Sequence, residues 1–401
     1  MINRSIQQLH VKKQTNQKLF NKNQSPQKQK GVALVIALII TTIALVLASA
    51  VVYRQQLHIR LTGNISNLQQ AYQYSTGMED WAGTILEQDY KDNPKIDSLD
   101  ENWATLLPPI PIPGGTMNGQ LFDLQARINL NSLALKPTKA KKKPKKKKPQ
   151  NKNEAPIDIA KITRKQINAI ILKVDPDEEM GPNTNFADIV KDWIDADQVN
   201  GNRISSDSNG NGGGAESPYY QSLETPYFSA STPLINSSEL LLLKNMNSKV
   251  YDKLLPYINT LPLTVDNKPV KTPINVNTAS KDIFEAIGFN AQESESIISF
   301  RDDHKKPDKK AFTDIKEFTN LPEIKALFVS AQPNAKPPVP PLMTTDNLSV
   351  SSNFFLLQGV VKINHTRLFI NSILYRKKGK VSVIMRDFSN PNRIATSDEE
   401  N

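Results

Sequence analysis

The sequence predicts an α+β chain carried on one membrane-crossing helix, and three observations predict it. An apolar run from Val32 to Tyr53 has the length of a bilayer span. Strand patterns occur near residue 120 and again from Phe354 to Arg386, and helical periodicity fills the stretch between them. Strands at both ends of a helical stretch make the middle a large insertion into one sheet, all-helical by its pattern.

The span is apolar apart from Thr41, Thr42 and Ser49, and about 20 residues cross roughly 30 Å of hydrocarbon as a helix. Residues 1–31 hold seven Lys or Arg and no acid, which by the positive-inside rule keeps them cytoplasmic and places everything after Tyr53 on the exported side of the membrane. A secretory signal peptide competes through Ala48-Ser49-Ala50, but the apolar run is longer than an ordinary signal core and lacks a small-x-small exit beside a turn. A third reading cuts on the cytoplasmic side. Lys30-Gly31-Val32-Ala33-Leu34 resembles a prepilin peptidase site, cleaved between Gly31 and Val32 so that the mature chain keeps its apolar helix. Most pilins carry a Glu five residues after that cut, and here the position is Ile36. A carboxylate in hydrocarbon is costly unless paired, so a subunit with no neighbour above it is better without one; a plain membrane anchor has no use for it either. Apolar positions three and four apart continue to about Tyr90, which implies one long helix, half of it in the membrane.

After Gly114-Gly115, the stretch Thr116 to Leu130 alternates imperfectly as a strand. Phe354–Ile363, Arg367–Tyr375 and Lys380–Arg386 are β-branched and aromatic runs separated by Asn364-His365-Thr366 and by Lys377-Lys378-Gly379-Lys380, as in antiparallel hairpins. Between them, residues 157–174, 186–194, 237–243, 249–260, 281–287 and 291–301 carry helix periodicity. The chain therefore divides into a leader (1–31), the membrane part of the helix (32–53), the first part of a sheet module (54–135), a Lys/Pro-rich loop (136–152), the helical insertion (153–340), the C-terminal strands (341–388) and a disordered tail (389–401).

The net charge of +10 is not a basic binding face. Ten Lys between Lys136 and Lys152 join the seven basic residues of the leader, and without those two runs the remainder is acidic. The Lys/Pro run repels itself and reads as a solvated loop, with anionic lipid or an acidic partner as its functional alternative. With no Cys there are no disulfides or thiolate ligands, and four scattered His leave little for a His-based metal site. No phosphate-binding Gly loop or serine elbow is present, so no enzyme is expected.

Several motifs together resemble the general secretion pathway protein K family. They are Arg54-Gln55-Gln56-Leu57, Gln70-Ala71-Tyr72, Met78-Glu79-Asp80-Trp81-Ala82, Trp103-Ala104, Gly114-Gly115-Thr116, Asp192-Trp193-Ile194-Asp195-Ala196-Asp197 and Ile274-Asn275-Val276-Asn277-Thr278-Ala279. The resemblance runs from about Lys30 to Phe388. It implies a pilin-like α/β module interrupted by the helical insertion. The chain would be a minor pseudopilin of type II secretion, processed by prepilin peptidase and methylated, and would meet minor pseudopilins I and J and other pseudopilins at the tip of a periplasmic pseudopilus. The long polar leader and the Lys/Pro run depart from that pattern.

Two constellations could bind something. Asp207, Asn209, Asn211 and Gly212 fit the first half of an EF-hand loop, whose alternating oxygen ligands converge on calcium, but its twelfth position is Pro218 and the nearest acid is Glu216. The resemblance implies a Ca²⁺ site in this region, giving the set Asp195, Asp197, Asp207, Asn209, Asn211 and Glu216, with Ser217 where the family more often has Asp. A solvated Gly-Asn-Ser loop is the alternative. The stretch from Ile274 through Gly288 to Arg301 resembles a helix-hairpin-helix unit. DNA-binding versions hold phosphates there, but Asn290 replaces the second hairpin glycine and Glu293, Glu295, Asp302 and Asp303 would repel DNA. Packing is preferred and no nucleic acid is expected; a membrane-tethered minor pilin or DNA-uptake receptor is the competing function.

Overall fold

The computed structural model describes residues 31–106, 108–136, 158–181, 184–196, 215–302, 311–321, 324 and 347–389. The leader, the body of the Lys/Pro-rich run and the tail from residue 390 lie outside them. The chain forms two compact units, residues 1–67 and 68–401.

Helix α1 runs Val32–Asp92, 61 residues without a break. Among the described residues it alone is long and apolar enough to cross a membrane. Its first-unit part exposes Val32, Leu34, Ile39, Leu45 and Val52. The hydroxyls of Thr41, Thr42 and Ser49 donate to the carbonyls three residues back, so these three polar groups are satisfied within the helix.

In the second unit, α1 packs Ala71, Met78, Ala82 and Leu86 onto a five-stranded antiparallel sheet. The strands are β1 (Ile110–Ile112), β2 (Gly115–Asp123), β9 (Phe354–Ile363), β10 (Thr366–Lys377) and β11 (Lys380–Asp387), in that spatial order. β2 and β9 are hydrogen-bonded neighbours although residues 124–353 lie between them in the chain. The two late hairpins turn at Asn364 and at Lys378-Gly379, all with positive φ, which Asn and Gly adopt readily. β1 lay outside the sequence pattern because Pro111 breaks its alternation; as the sheet's edge strand it can spare a backbone donor.

α1 comes unusually close to the sheet. Gly119 and Gly359 pair across β2 and β9. A Cβ at either would stand 2.6 or 2.5 Å from Met78 Sδ, so the glycine pair forms the seat for the methionine.

Residues 124–350 hold β3 (Ile128–Asn129), α2 (Ile159–Val174), α3 (Phe186–Ile194), α4 (Ser217–Gln221), α5 (Ser248–Leu254), β4 (Ile258–Asn259), β5 (Thr264–Val265), β6 (Lys268–Pro269), β7 (Ile274–Asn275), α6 (Lys281–Ala286), α7 (Ala291–Arg301), α8 (Ile315–Thr319) and β8 (Leu348–Ser349). Their core includes Ile167, Phe186, Val190, Leu240, Leu254, Phe284, Phe312 and Phe318. The expectation of an all-helical stretch is corrected here: β3 pairs with β4, β5 with β6 and β7 with β8. The expected helix 249–260 stops at Leu254 because Pro256 has no N–H to give, and the chain passes through a 3-10 turn into β4. The expected helix 237–243 is a 3-10 turn, Ser237–Leu242, entered through a capping box of Asn236 and Glu239. The strand expected to reach residue 130 ends at Asp123, whose carboxylate accepts the amide of Gln125 and turns the chain.

Gly359→Ala should destabilise the second unit by about 1–3 kcal/mol. Gly77→Ala, at a helical position with nothing near the added methyl, should stabilise it by about 0.5–1 kcal/mol. Denaturant unfolding of the two variants checks both signs.

Candidate functional site

The sheet and the helical stretch meet through polar side chains taken out of water. Asp123, at the end of β2, is fully buried and accepts four hydrogen bonds: Gln125 N at 2.7 Å, Asn275 Nδ2 at 3.0 Å, Thr278 Oγ1 at 2.5 Å and Ser352 Oγ at 2.6 Å. Burial raises its pKa against the pull of those donors. Asn275 also donates to the Asp97 carbonyl at 3.0 Å. Two residues on, Asn277 donates to the carbonyls of Phe312 and Val350 and accepts from Phe312 N. Both Asn are wholly buried. The motif Ile274-Asn275-Val276-Asn277-Thr278-Ala279 therefore joins β2, the turn at Asp97, the segment before β9 and the segment before α8.

Arg376 of β10 extends this joint to the end of α1. Its guanidinium donates to Asp89 at 2.9 Å, to Asp97, and to the carbonyls of Leu86 and Ser352 at 3.2 and 3.0 Å, and lies over the Phe355 ring at 4.8 Å. Asp89, Asp97 and Glu101 form a three-carboxylate cluster of the kind that holds metal ions. Arg376 fills that role by its contacts to Asp89 and Asp97, while Glu101 accepts from Ser98 N, Trp103 Nε1 and Asn93 Nδ2. Another buried acid, Glu79 of α1, accepts from Ser372 Oγ and from Arg386 Nε at 2.8 Å, tying α1 to β10 and β11.

The expected calcium ligands are described in part. Asp195 receives the end of α3 and is half-buried; Glu216 precedes α4 and is 4% exposed. The Trp193 and Tyr220 rings, close in sequence to these two acids, meet edge to face at 5.1 Å, so the two chain ends that flank residues 197–214 are held by one aromatic contact. Asp197, Asp207, Asn209 and Asn211 lie outside the described residues. Gly31 and Val32 stand at the start of α1, where Gly31 O accepts from Val35 N.

A family model for the type II secretion system protein K matches residues 126–263. Type II secretion system protein K of Aeromonas hydrophila is 26% identical over 370 residues, covering 90% of this chain and 97% of the relative. That of Pseudomonas aeruginosa is 28% identical over 370 residues, covering 90% and 92%. The crystal structure of the GspK-GspI-GspJ complex from enterotoxigenic Escherichia coli contains a chain that superposes with a TM-score of 0.60 at 25% identity, over 82% of this chain and 99% of that one. Over most of its length the chain is similar to type II secretion system protein K.

The hairpin-like unit is built from α6 and α7 around Gly288, whose φ of +114° suits glycine. Arg301, the cation a phosphate would need, is 7% exposed and donates to the Ala279 carbonyl at 2.6 Å and to Asp302. Lys281 is paired with Glu295. These contacts use the unit's charges internally.

Asp89, Asp97, Asp123 and Arg376 escaped the sequence reading, as did the role of the Asn residues. One signal was available: Ile-Asn recurs at 128–129, 258–259 and 274–275, each a short strand whose buried Asn reaches across to another segment's carbonyl. Arg376→Met should cost about 3–5 kcal/mol, because Asp89 and Asp97 would stay buried without their counter-ion. Thermal unfolding of the variant beside the parent reads the loss.

Proposed function

We propose that this K-family minor pseudopilin of the type II secretion system is anchored in the inner membrane by residues 32–53 and assembles with minor pseudopilins I and J at the tip of a periplasmic pseudopilus. There it supports export of folded proteins across the outer membrane. The observation that carries the reading is the likeness to a chain solved in complex with GspI and GspJ, which extends over nearly the whole of that chain.

The residues support a part played by assembly rather than catalysis. Tyr53, Leu57, Leu61 and Ile65 recur every four residues along α1, share one helix face and are exposed. Such a stripe, continuing from the end of the membrane run, suits another subunit's helix. Ile36 in place of the usual Glu suits a subunit with none above it. We read residues 1–31 as a cytoplasmic leader removed between Gly31 and Val32, and α1 from Arg54 with the five-stranded sheet as a pilin-like module into which the helical stretch is inserted. Leu61→Asp combined with Ile65→Asp should leave the melting temperature of the isolated chain unchanged and cut its co-purification with I and J by about tenfold or more. Undiminished co-purification would remove this face from the interface.

We also propose calcium as a structural ion at Asp195, Asp197, Asp207, Asn209, Asn211 and Glu216. The donor set fits: its side chains offer only hard oxygens, and Glu216 is a carboxylate drawn into the protein beside the buried Ala215. Calcium supplies charge that lets these carboxylates converge. Asp195 and Glu216 would fix the two ends of the loop, with Trp193 and Tyr220 between them. Terbium added to the full chain in detergent should luminesce on excitation of Trp193, calcium should compete it away, and Glu216→Gln should weaken both effects. A silent terbium titration would remove the ion from the account.

A further inference from the structure

The end of α1 and the turn that follows bring together more carboxyl groups than cations. Asp89 and Asp97 face each other across the Arg376 guanidinium that donates to both. Oxygens of Asp89, Asp97 and Glu101 all lie within 4.8 Å of one another. Asp92 adds negative charge from α1 and Asp123 from β2. Among the described residues, the cation in contact with the Asp pair is Arg376 of β10, which donates to both acids. Two carboxylates this close repel when both are ionised, and the repulsion is relieved when one of them carries a proton. One guanidinium offsets one of the charges and leaves the other.

We propose that Asp89 and Asp97 share a proton while they clasp Arg376, and that losing this proton loosens the clasp between α1, the turn at Asp97 and β10. The surroundings agree. Burial pushes Asp97 up to about 7 despite the guanidinium beside it, and burial also raises Asp89 and Glu101. The ordinary Asp value is 3.8, so between about pH 4 and about pH 7 the folded chain holds a proton that the unfolded chain has released. Stability contributed by the pair is therefore greatest in acid and declines as pH rises through that window. This is opposite in sign to an exposed, salt-bridged carboxylate. In a subunit whose folded part lies outside the cytoplasm, the clasp would follow the acidity of the surroundings.

The test is thermal unfolding of the full chain in detergent at a series of pH values. The midpoint should fall by about 3 °C or more between about pH 5.5 and about pH 8. Asp97→Asn, which keeps a polar group there but cannot titrate, should reduce that fall by at least half. A flat profile for the parent, or an undiminished fall in Asp97→Asn, overturns the proposal. If Asp97→Asn does not fold, infrared spectroscopy of the parent decides. A protonated-carboxyl carbonyl band present at about pH 6 and lost by about pH 8 supports the shared proton, and its absence at the lower pH overturns it.

Discussion

A single guanidinium, that of Arg376, determines how the folded part of this chain is held together. It is 3% exposed, donates to two carboxylates and two carbonyls, and is covered by an aromatic ring. Its partners come from the end of α1, the turn after it and the segment that leads into β9. Asp97 and Ser352 then pass the connection on to Asn275 and Asp123. A buried charge tolerates little rearrangement, because any partner that moves away leaves desolvated charge behind. The ion pair thus ties the end of α1, the turn at Asp97 and β10 to one point.

The same constraint explains why a sheet can have its strands divided by more than two hundred residues of other structure. β2 and β9 pair along their length. The intervening chain leaves from Leu124 and returns at Asn353, two points fixed by Asp123 and by Gln125, whose side chain accepts from Asn353 N at 2.7 Å. Leu124, Leu261, Phe354, Ile373 and Tyr375 form a small apolar cluster between the sheet's second face and the helical stretch. Apolar contact supplies the burial there, and the Asn and Asp bonds supply the register. If the chain works by assembly, as proposed, a helical stretch fixed to the sheet gives partners one surface.

Much of this frame was legible in the sequence. The membrane run, the long helix after it, the three late strands and helices at 186–194 and 291–301 follow from periodicity and turn residues. What was hidden depends on distance along the chain or on a single residue. Arg376 and Asp97 are 279 positions apart, and in a pattern reading both belong to the surface. Pro256 ended a helix whose apolar spacing continued past it. The two-residue strands are too short to show alternation. Of the candidate calcium ligands, Asp195 follows α3 and Glu216 precedes α4, and the burial of Glu216 had no sequence signal at all.

The measurement closest to the central claim is the N-terminal residue and methylation state of the mature chain, taken by mass spectrometry from membranes. The account predicts a chain that starts at Val32 with a methylated amine, as prepilin processing between Gly31 and Val32 requires. A chain that starts at Met1 would make it an ordinary anchored protein, and one that starts near Val51 would mean the span is removed; either result would contradict a pseudopilin.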